Sequence, residues 1–335
     1  MSGSNKAGVA RRAFLGSGLA MIAGAAAAQS GPTPYSPSDL SALPWPPKES
    51  FPLWPGRPPG PPAKAIVPNW TMNNPPPNRE LWIRGVAMPE VHVFRAADPD
   101  GSALLALPGG GYEFLSVQNE GLDVAERLNA ERTTVFVLTY RLPGEGWSQR
   151  SVVPLQDAQR AMRLIRSRAG ELRVDAARLG VIGFSAGGHL AADLAVSSGE
   201  AVYKPVDAAD RLSARPAFAG LIYPVTSLEP GLAHGGSRDN LLGPNASADL
   251  IRARSPLRRV NGATPPTFLV HAFDDGTVPV EDSLEWIAAC KAANAPVEAH
   301  LLTEGGHGFG FHLPRDNPGS RWPDLFALWM RKHGG

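Results

Sequence analysis

The sequence predicts an α/β protein, with a mostly parallel central sheet of about eight strands and helices on both faces. Three observations predict it. From about residue 81 onward, short runs rich in Val, Ile, Leu and Phe alternate with longer segments of helical periodicity, the pattern of strand and crossover units. Each helical segment is bounded by Gly, Pro or polar residues. The turn Gly183-Phe184-Ser185-Ala186-Gly187-Gly188 stands directly between an apolar run and a helical one. A chain of 335 residues, 43% hydrophobic and 19% charged, is long enough to bury a large core around such a sheet.

Taken in chain order, strands are expected at 81–86, 91–95, 103–107, 134–140, 179–184, 217–223, 267–272 and 297–302. Leu155, Ala158, Met162 and Ile165 recur at spacings of three and four, so 155–168 reads as an amphipathic helix with one stripe toward the sheet. Asp157 and Arg160 on it read as a structural pair or as caps. Further helices fit 121–130, 186–196, 281–293 and 323–333. The stretch 225–263, rich in Gly, Ser, Asn and Arg, shows little periodicity outside 247–253. It is expected to form a partly irregular excursion near the site, within the same domain.

Ahead of these elements the prolines cluster, as Pro46-Pro47, Pro58-Pro59, Pro61-Pro62 and Pro75-Pro76-Pro77. Proline has no backbone N–H to give to a ladder, so 31–78 reads as an extended arm outside sheet and helix interiors. Trp45, Phe51, Leu53, Trp54 and Trp70 are expected to lay parts of it across the body. Residues 1–30 read as an export leader. Arg11-Arg12 precede Ala13-Phe14-Leu15 and a weakly apolar stretch, and Ala26-Ala27-Ala28 stand before Gln29, so the segment resembles a twin-arginine signal with an A-x-A cleavage site. That stretch is too short and too rich in Ala and Gly to span a bilayer. The expected organisation is a leader over 1–30, the arm over 31–78 and one α/β domain over 79–335. The mature chain is expected in the periplasm or outside the cell, without stable membrane insertion.

Charge excludes two partner classes. Lys plus Arg number 32 against 31 Asp plus Glu, which leaves no net field to hold nucleic acid or an anionic membrane surface. The single cysteine, Cys290, has no partner for an intramolecular disulfide or a Cys-rich metal site and reads as a core residue.

The chemistry centres on Ser185. In a G-x-S-x-G turn the glycines on both sides let serine sit on a sharp bend between strand and helix, where flanking side chains would collide. The bend exposes the hydroxyl, and the N-terminus of the following helix faces the negative charge of the reaction. A second Gly-rich turn, Pro108-Gly109-Gly110-Gly111-Tyr112, follows the apolar run 103–107. It fits backbone donors for an oxyanion, with the N–H groups of Gly110 and Gly111 joining that of Ala186. The glycines fit neither G-x-G-x-x-G nor a phosphate-binding loop with its lysine.

Serine needs a base, which in this chain order arrives last, after an acid. Eight histidines compete. His307, in Gly305-Gly306-His307-Gly308, follows the last expected strand on a loop free to bring an imidazole over the sheet edge. His312 is the nearest competitor, while His189 and His271 read as structural. The acid is expected in Asp274-Asp275-Gly276-Thr277-Val278-Pro279, with Asp275 as the carboxylate that orients His307 and Asp274 as a turn cap.

These motifs, with Tyr140-Arg141-Leu142-Pro143 and the helix opening Pro154-Leu155-Gln156-Asp157, resemble the α/β-hydrolase esterases of the acetyl esterase type, the BD-FAE and acetyl-xylan esterase-like proteins. The likeness covers about 81–332. In the His-Gly-Gly-Gly form of the oxyanion turn the first position is proline here, which removes any role of that histidine and leaves the backbone donors. The resemblance implies an α/β-hydrolase fold and a serine carboxylic ester hydrolase that needs no metal or organic cofactor. Its substrate would be a small ester or acylated carbohydrate, such as acetylated plant polysaccharide. Feruloyl esterase, lactonase and peptidase are alternatives on the same scaffold, and a noncatalytic binding protein is an alternative of another class. Tyr112 and Trp147 are candidate sugar contacts, and 234–238 is a candidate rim of the site.

Overall fold

The computed structural model describes residues 33–34, 45–74 and 80–334. The expected leader, with Arg11-Arg12 and Ala26-Ala27-Ala28, lies outside them. The chain runs β1 (Thr33–Pro34), β2 (Ser50–Pro52), β3 (Asn69–Asn73), β4 (Glu80–Arg84), β5 (Glu90–Phe94), β6 (Ala103–Leu107), β7 (Leu115–Ser116), α1 (Asp123–Asn129), β8 (Thr134–Thr139), α2 (Val153–Ser167), α3 (Ala169–Leu172), β9 (Leu179–Phe184), α4 (Ser185–Ser197), β10 (Ala219–Ile222), α5 (Gly235–Leu242), α6 (Ala248–Ala253), β11 (Thr267–Ala272), α7 (Glu281–Ala293), β12 (Val297–Leu302) and α8 (Trp322–His333).

Eight strands form the main sheet in the order β12-β11-β10-β9-β6-β8-β5-β2. From β12 through β8 all pairings are parallel, and β5 and β2 close the far edge antiparallel. Every residue of β6, β8, β9, β10 and β11 is buried, as continuous Val, Ile and Leu runs covered on both faces require. This is the α/β-hydrolase architecture. Cys290 is buried in it, and burial pushes its thiol up to about 12.

The number of strands agrees with the sequence reading, but the membership differs. The expected strand 81–86 is β4, and it pairs antiparallel with β3 and β7 in a separate four-stranded sheet, β1-β3-β4-β7. Its place as an eighth strand is taken by β2 from the Pro-rich arm. The arm therefore does supply sheet hydrogen bonds, against the expectation from its proline content. Its proline pairs fall between strands, β3 contains no proline, and Pro52 ends a three-residue edge strand, where a missing N–H is tolerated.

Two buried arginines fasten the arm. Arg141 pairs with Asp157 at 2.8 Å, both fully buried, while its other end donates to the Pro59 carbonyl at 2.5 Å and Trp54 Nε1 donates to Asp157 at 2.9 Å. Arg160 donates to the Leu53 carbonyl at 2.9 Å and pairs with Asp207 and Asp210. Asp157 and Arg160 thus serve different partners and do not form the pair expected on α2. Removing one member of such a buried pair leaves an uncompensated charge, so each is costly to lose.

Candidate active site

The site lies at the carboxyl ends of the parallel strands, where α/β sheets place their crevices. Ser185 follows β9 and opens α4 with φ +52°, a conformation rare for a residue with a side chain. Its neighbours explain the glycines. A Cβ on Gly183 would stand 2.1 Å from the Gly187 carbonyl oxygen, and one on Gly187 would stand 2.1 Å from that of Leu107. Only Gly at both positions lets strand, turn and β6 approach this closely.

Asp275 follows β11 and His307 follows β12. His307 Nε2 lies 2.9 Å from Ser185 Oγ, and its Nδ1 lies 2.7 Å from Asp275 Oδ2. With Nδ1–H donating to the carboxylate, Nε2 is left to accept the serine proton. The Asp275 side chain is buried, and burial alone would raise its pKa. Hydrogen bonds from His271 and His307, the charge of His307 and the Val278 N–H outweigh it and hold the carboxyl well below the usual range.

His271, read from sequence as structural, donates from Nε2 to Asp275 Oδ2 at 3.1 Å and takes the Ser283 hydroxyl on Nδ1 at 2.6 Å. His189 lies buried between the Tyr112 hydroxyl and the Arg254 carbonyl. His312 is exposed and bonded to Asp123, away from Ser185. Asp274 accepts the N–H groups of Gly305 and Gly306 at 2.8 Å each, so it restrains the loop that carries His307.

The carbonyls of the Gly109–Gly111 turn are all engaged. Ser116 donates to Gly109, Glu113 and Phe114 to Gly110, and Asn240 Nδ2 to Gly111 at 2.9 Å. Among the described residues no protein acceptor takes the N–H of Gly110, Gly111 or Ala186. Gly110, Gly111, Ser185 and His307 line one cleft of about 520 Å³. A polar wall of Glu80, Ser116, Asn119, Asn240 and His234 faces them. Burial, followed by the nearby His307, lowers the pKa of His234, which favours its neutral form. Among the described residues no group of three or more His, Cys, Asp or Glu is placed to hold a metal ion. No described helix is long and apolar enough to cross a membrane.

A family model, BD-FAE, matches residues 102–289, which include Ser185, Asp275 and the Gly109–Gly111 turn. The chain belongs to the BD-FAE family. It is 32% identical over 222 residues to an acetylxylan esterase of Xylanibacter ruminicola, covering 65% of this chain and 43% of that protein. It is 31% identical over 211 residues to endo-1,4-beta-xylanase B of Butyrivibrio fibrisolvens, covering 63% of this chain and 33% of that one. The chain thus spans less than half the length of these curated relatives. Among solved structures it is similar to an acetyl ester-xyloside bifunctional hydrolase from Caldicellulosiruptor lactoaceticus. That match has a TM-score of 0.71 and 34% identity, covering 85% of this chain and 96% of the other.

Within this BD-FAE chain, both candidate sugar contacts are corrected. Tyr112 is 1% exposed and its hydroxyl is spent on His189 Nδ1 at 2.7 Å, so it anchors the end of the glycine turn in the core. Trp147 is 4% exposed, lies under the Arg141 guanidinium at 4.9 Å and bridges to Pro62 of the arm. Neither borders the cleft of Ser185. Trp82, Phe114 and Asn119 do border it and were missed. No local pattern distinguishes them: Trp82 lies on β4 and Phe114 just before β7, in a sheet that the arm completes, and Asn119 lies in the turn that follows. The excursion 225–263 does reach the rim, through His234, Gly236 and Asn240.

Proposed function

We propose that this chain is an exported serine carboxylic ester hydrolase that works through an acyl-enzyme and removes acetyl groups from plant polysaccharide or oligosaccharide esters. The observation that carries the reading is the unbroken relay from Ser185 Oγ through both nitrogens of His307 to Asp275, at 2.9 and 2.7 Å. His307 Nε2 takes the serine proton as Oγ attacks the ester carbonyl, and Asp275 stabilises the imidazolium that forms. The N–H groups of Gly110, Gly111 and Ala186 hold the alkoxide. Collapse expels the alcohol, which receives the proton from His307, and leaves an acyl-serine. Water, deprotonated by His307, repeats the attack and releases the acid.

Support for a carbohydrate leaving group comes from the polar wall of Glu80, Ser116, Asn119 and Asn240, which suits hydroxyl donors and acceptors. The names of the relatives support acetyl as the acyl group. The test measures acetate against ferulate released from acetylated xylan, pectin and feruloylated fragments. Acetate from xylan is expected, and much faster turnover of aromatic acyl groups overturns the acetyl preference. Export through the twin-arginine route is tested by fractionating cells that make the full chain or its Arg11→Lys, Arg12→Lys form. Periplasmic activity is expected with the former and its loss with the latter.

A further inference from the structure

One carboxyl is bonded to the turn at Gly109 and, through Tyr223, to the loop that carries His307. Glu120 lies in the turn Gln118–Leu122, wound one residue wider than an α-helix, a device frequent at functional sites. It is 4% exposed at the floor of the cleft. Its Oε2 accepts the N–H of Gly109, at the start of the oxyanion turn, at 2.6 Å. Its Oε1 accepts the Tyr223 hydroxyl at 2.9 Å, and the Tyr223 oxygen accepts the N–H of Gly310 at 3.1 Å, three residues beyond His307. The Tyr223 ring also packs on the imidazole of His307, with centroids 5.0 Å apart. Asn119 adds a bond from Nδ2 to the Gly308 carbonyl at 3.0 Å. A Cβ on Gly109 would stand 2.8 Å from Glu120 Oε2, and one on Gly310 would stand 2.1 Å from Asn119 Oδ1.

We infer that Glu120 is a positioning residue, which holds the oxyanion turn through Gly109 and the histidine loop through Tyr223 and Gly310 in one register over Ser185. The inference rests on the ester hydrolase reading. A buried carboxyl is expensive to keep without a cation beside it, and none of its bonding partners is one. The titratable groups facing it are Glu80 from β4, Tyr140 beyond β8, Tyr223 beyond β10, and His307 behind Tyr223. Tyr140 gives its hydroxyl to the Pro108 carbonyl at 2.6 Å, next to the same turn. Burial, and then the charge of Glu80, outweigh the two donors and push Glu120 up to about 8. Below that pH it is neutral. Above it, an anion sits against the turn where the alkoxide must form, and turnover falls.

The test compares wild type with E120A, E120Q and Y223F, by steady-state turnover of p-nitrophenyl acetate across pH and by fluorophosphonate labelling of Ser185. Y223F removes only the phenolic oxygen and keeps the ring packing, so it reads the link even where E120A fails to fold. E120A is expected to lose about 10²-fold in kcat and Y223F about tenfold, each with KM nearly unchanged, as for displaced catalytic groups. E120Q keeps an acceptor for Gly109. It is expected to retain most of the activity and to lose the fall above about pH 8. Wild-type kcat and labelling rate in Y223F, with an unchanged alkaline limb in E120Q, overturn the inference. Failure of wild type itself to label at Ser185 overturns the hydrolase reading instead.

Discussion

Asp274 and Asp275 are adjacent in the loop after β11, yet each carboxylate restrains a different part of the same histidine segment. Asp275 holds the ring of His307, and Asp274 holds the backbone of Gly305 and Gly306. The two are expected to differ sharply on substitution. Asp275→Asn presents an amide where Nδ1–H needs a carboxylate, which traps the wrong tautomer and lowers kcat by about 10⁴-fold. Asp274→Ala frees the loop without touching the ring and lowers kcat by about tenfold. Ser185→Ala sets the floor, about 10⁶-fold below wild type. Initial rates on p-nitrophenyl acetate rank the three, and equal losses at 274 and 275 would refute the division of labour.

The Gly109–Gly111 turn offers a second contrast. Gly110 has φ +117° and a Cβ there would lie 2.2 Å from the Phe114 carbonyl oxygen, whereas Gly111 has φ +62° and meets nothing nearer than His234 Cε1 at 3.9 Å. Gly110→Ala must therefore move the backbone that carries a donor, at a cost of about 10²-fold or more in kcat. Gly111→Ala bears backbone strain of about 1 kcal/mol and keeps most of the rate. Measured kcat values in the reverse order would show that Gly111 carries the geometry.

Trp147 packs between Arg141 and the arm instead of facing substrate. Trp147→Ala is expected to destabilise the fold by about 3–5 kcal/mol, as for other large buried truncations. KM for acetylated oligosaccharide should not change. Thermal melts and steady-state kinetics on the same preparation check both halves, and a raised KM with an unchanged Tm would restore the sugar contact.

Asp282 provides a pH test of stability. Burial pushes its carboxyl from 3.8 up to about 7, outweighing the N–H groups of Ser227 and Thr226 and the Thr226 hydroxyl. The folded chain therefore holds this proton where the unfolded chain has lost it. That contribution is full below about pH 4 and disappears as the pH rises through about 7. Between these limits Tm of wild type is expected to fall more steeply than that of Asp282→Asn, and parallel Tm profiles would contradict the assignment.

Ser185, Asp275 and His307 could be located from the chain because each is marked by local chemistry. A glycine-flanked bend between an apolar run and a helix announces the serine, and loops after β11 and β12 announce the carboxylate and imidazole that meet it. The positions of β6, β8, β9, β10 and β11 were legible for a similar reason, since strands buried on both faces must be mostly apolar. Alternation within one segment cannot say which sheet that segment joins. The 81–86 strand and the β2 segment exchanged places on that account. Nothing in the residues around Glu120 marks it, and its partner Tyr223 is 103 positions away. Asp157 found Arg141 instead of its helix neighbour, and Trp147 found the arm. Periodicity and turn stereochemistry act over a few residues and can be read in order along the chain. Burial and the pairing of polar groups inside it depend on which distant segments arrive at the same place, and that is set when the whole core closes.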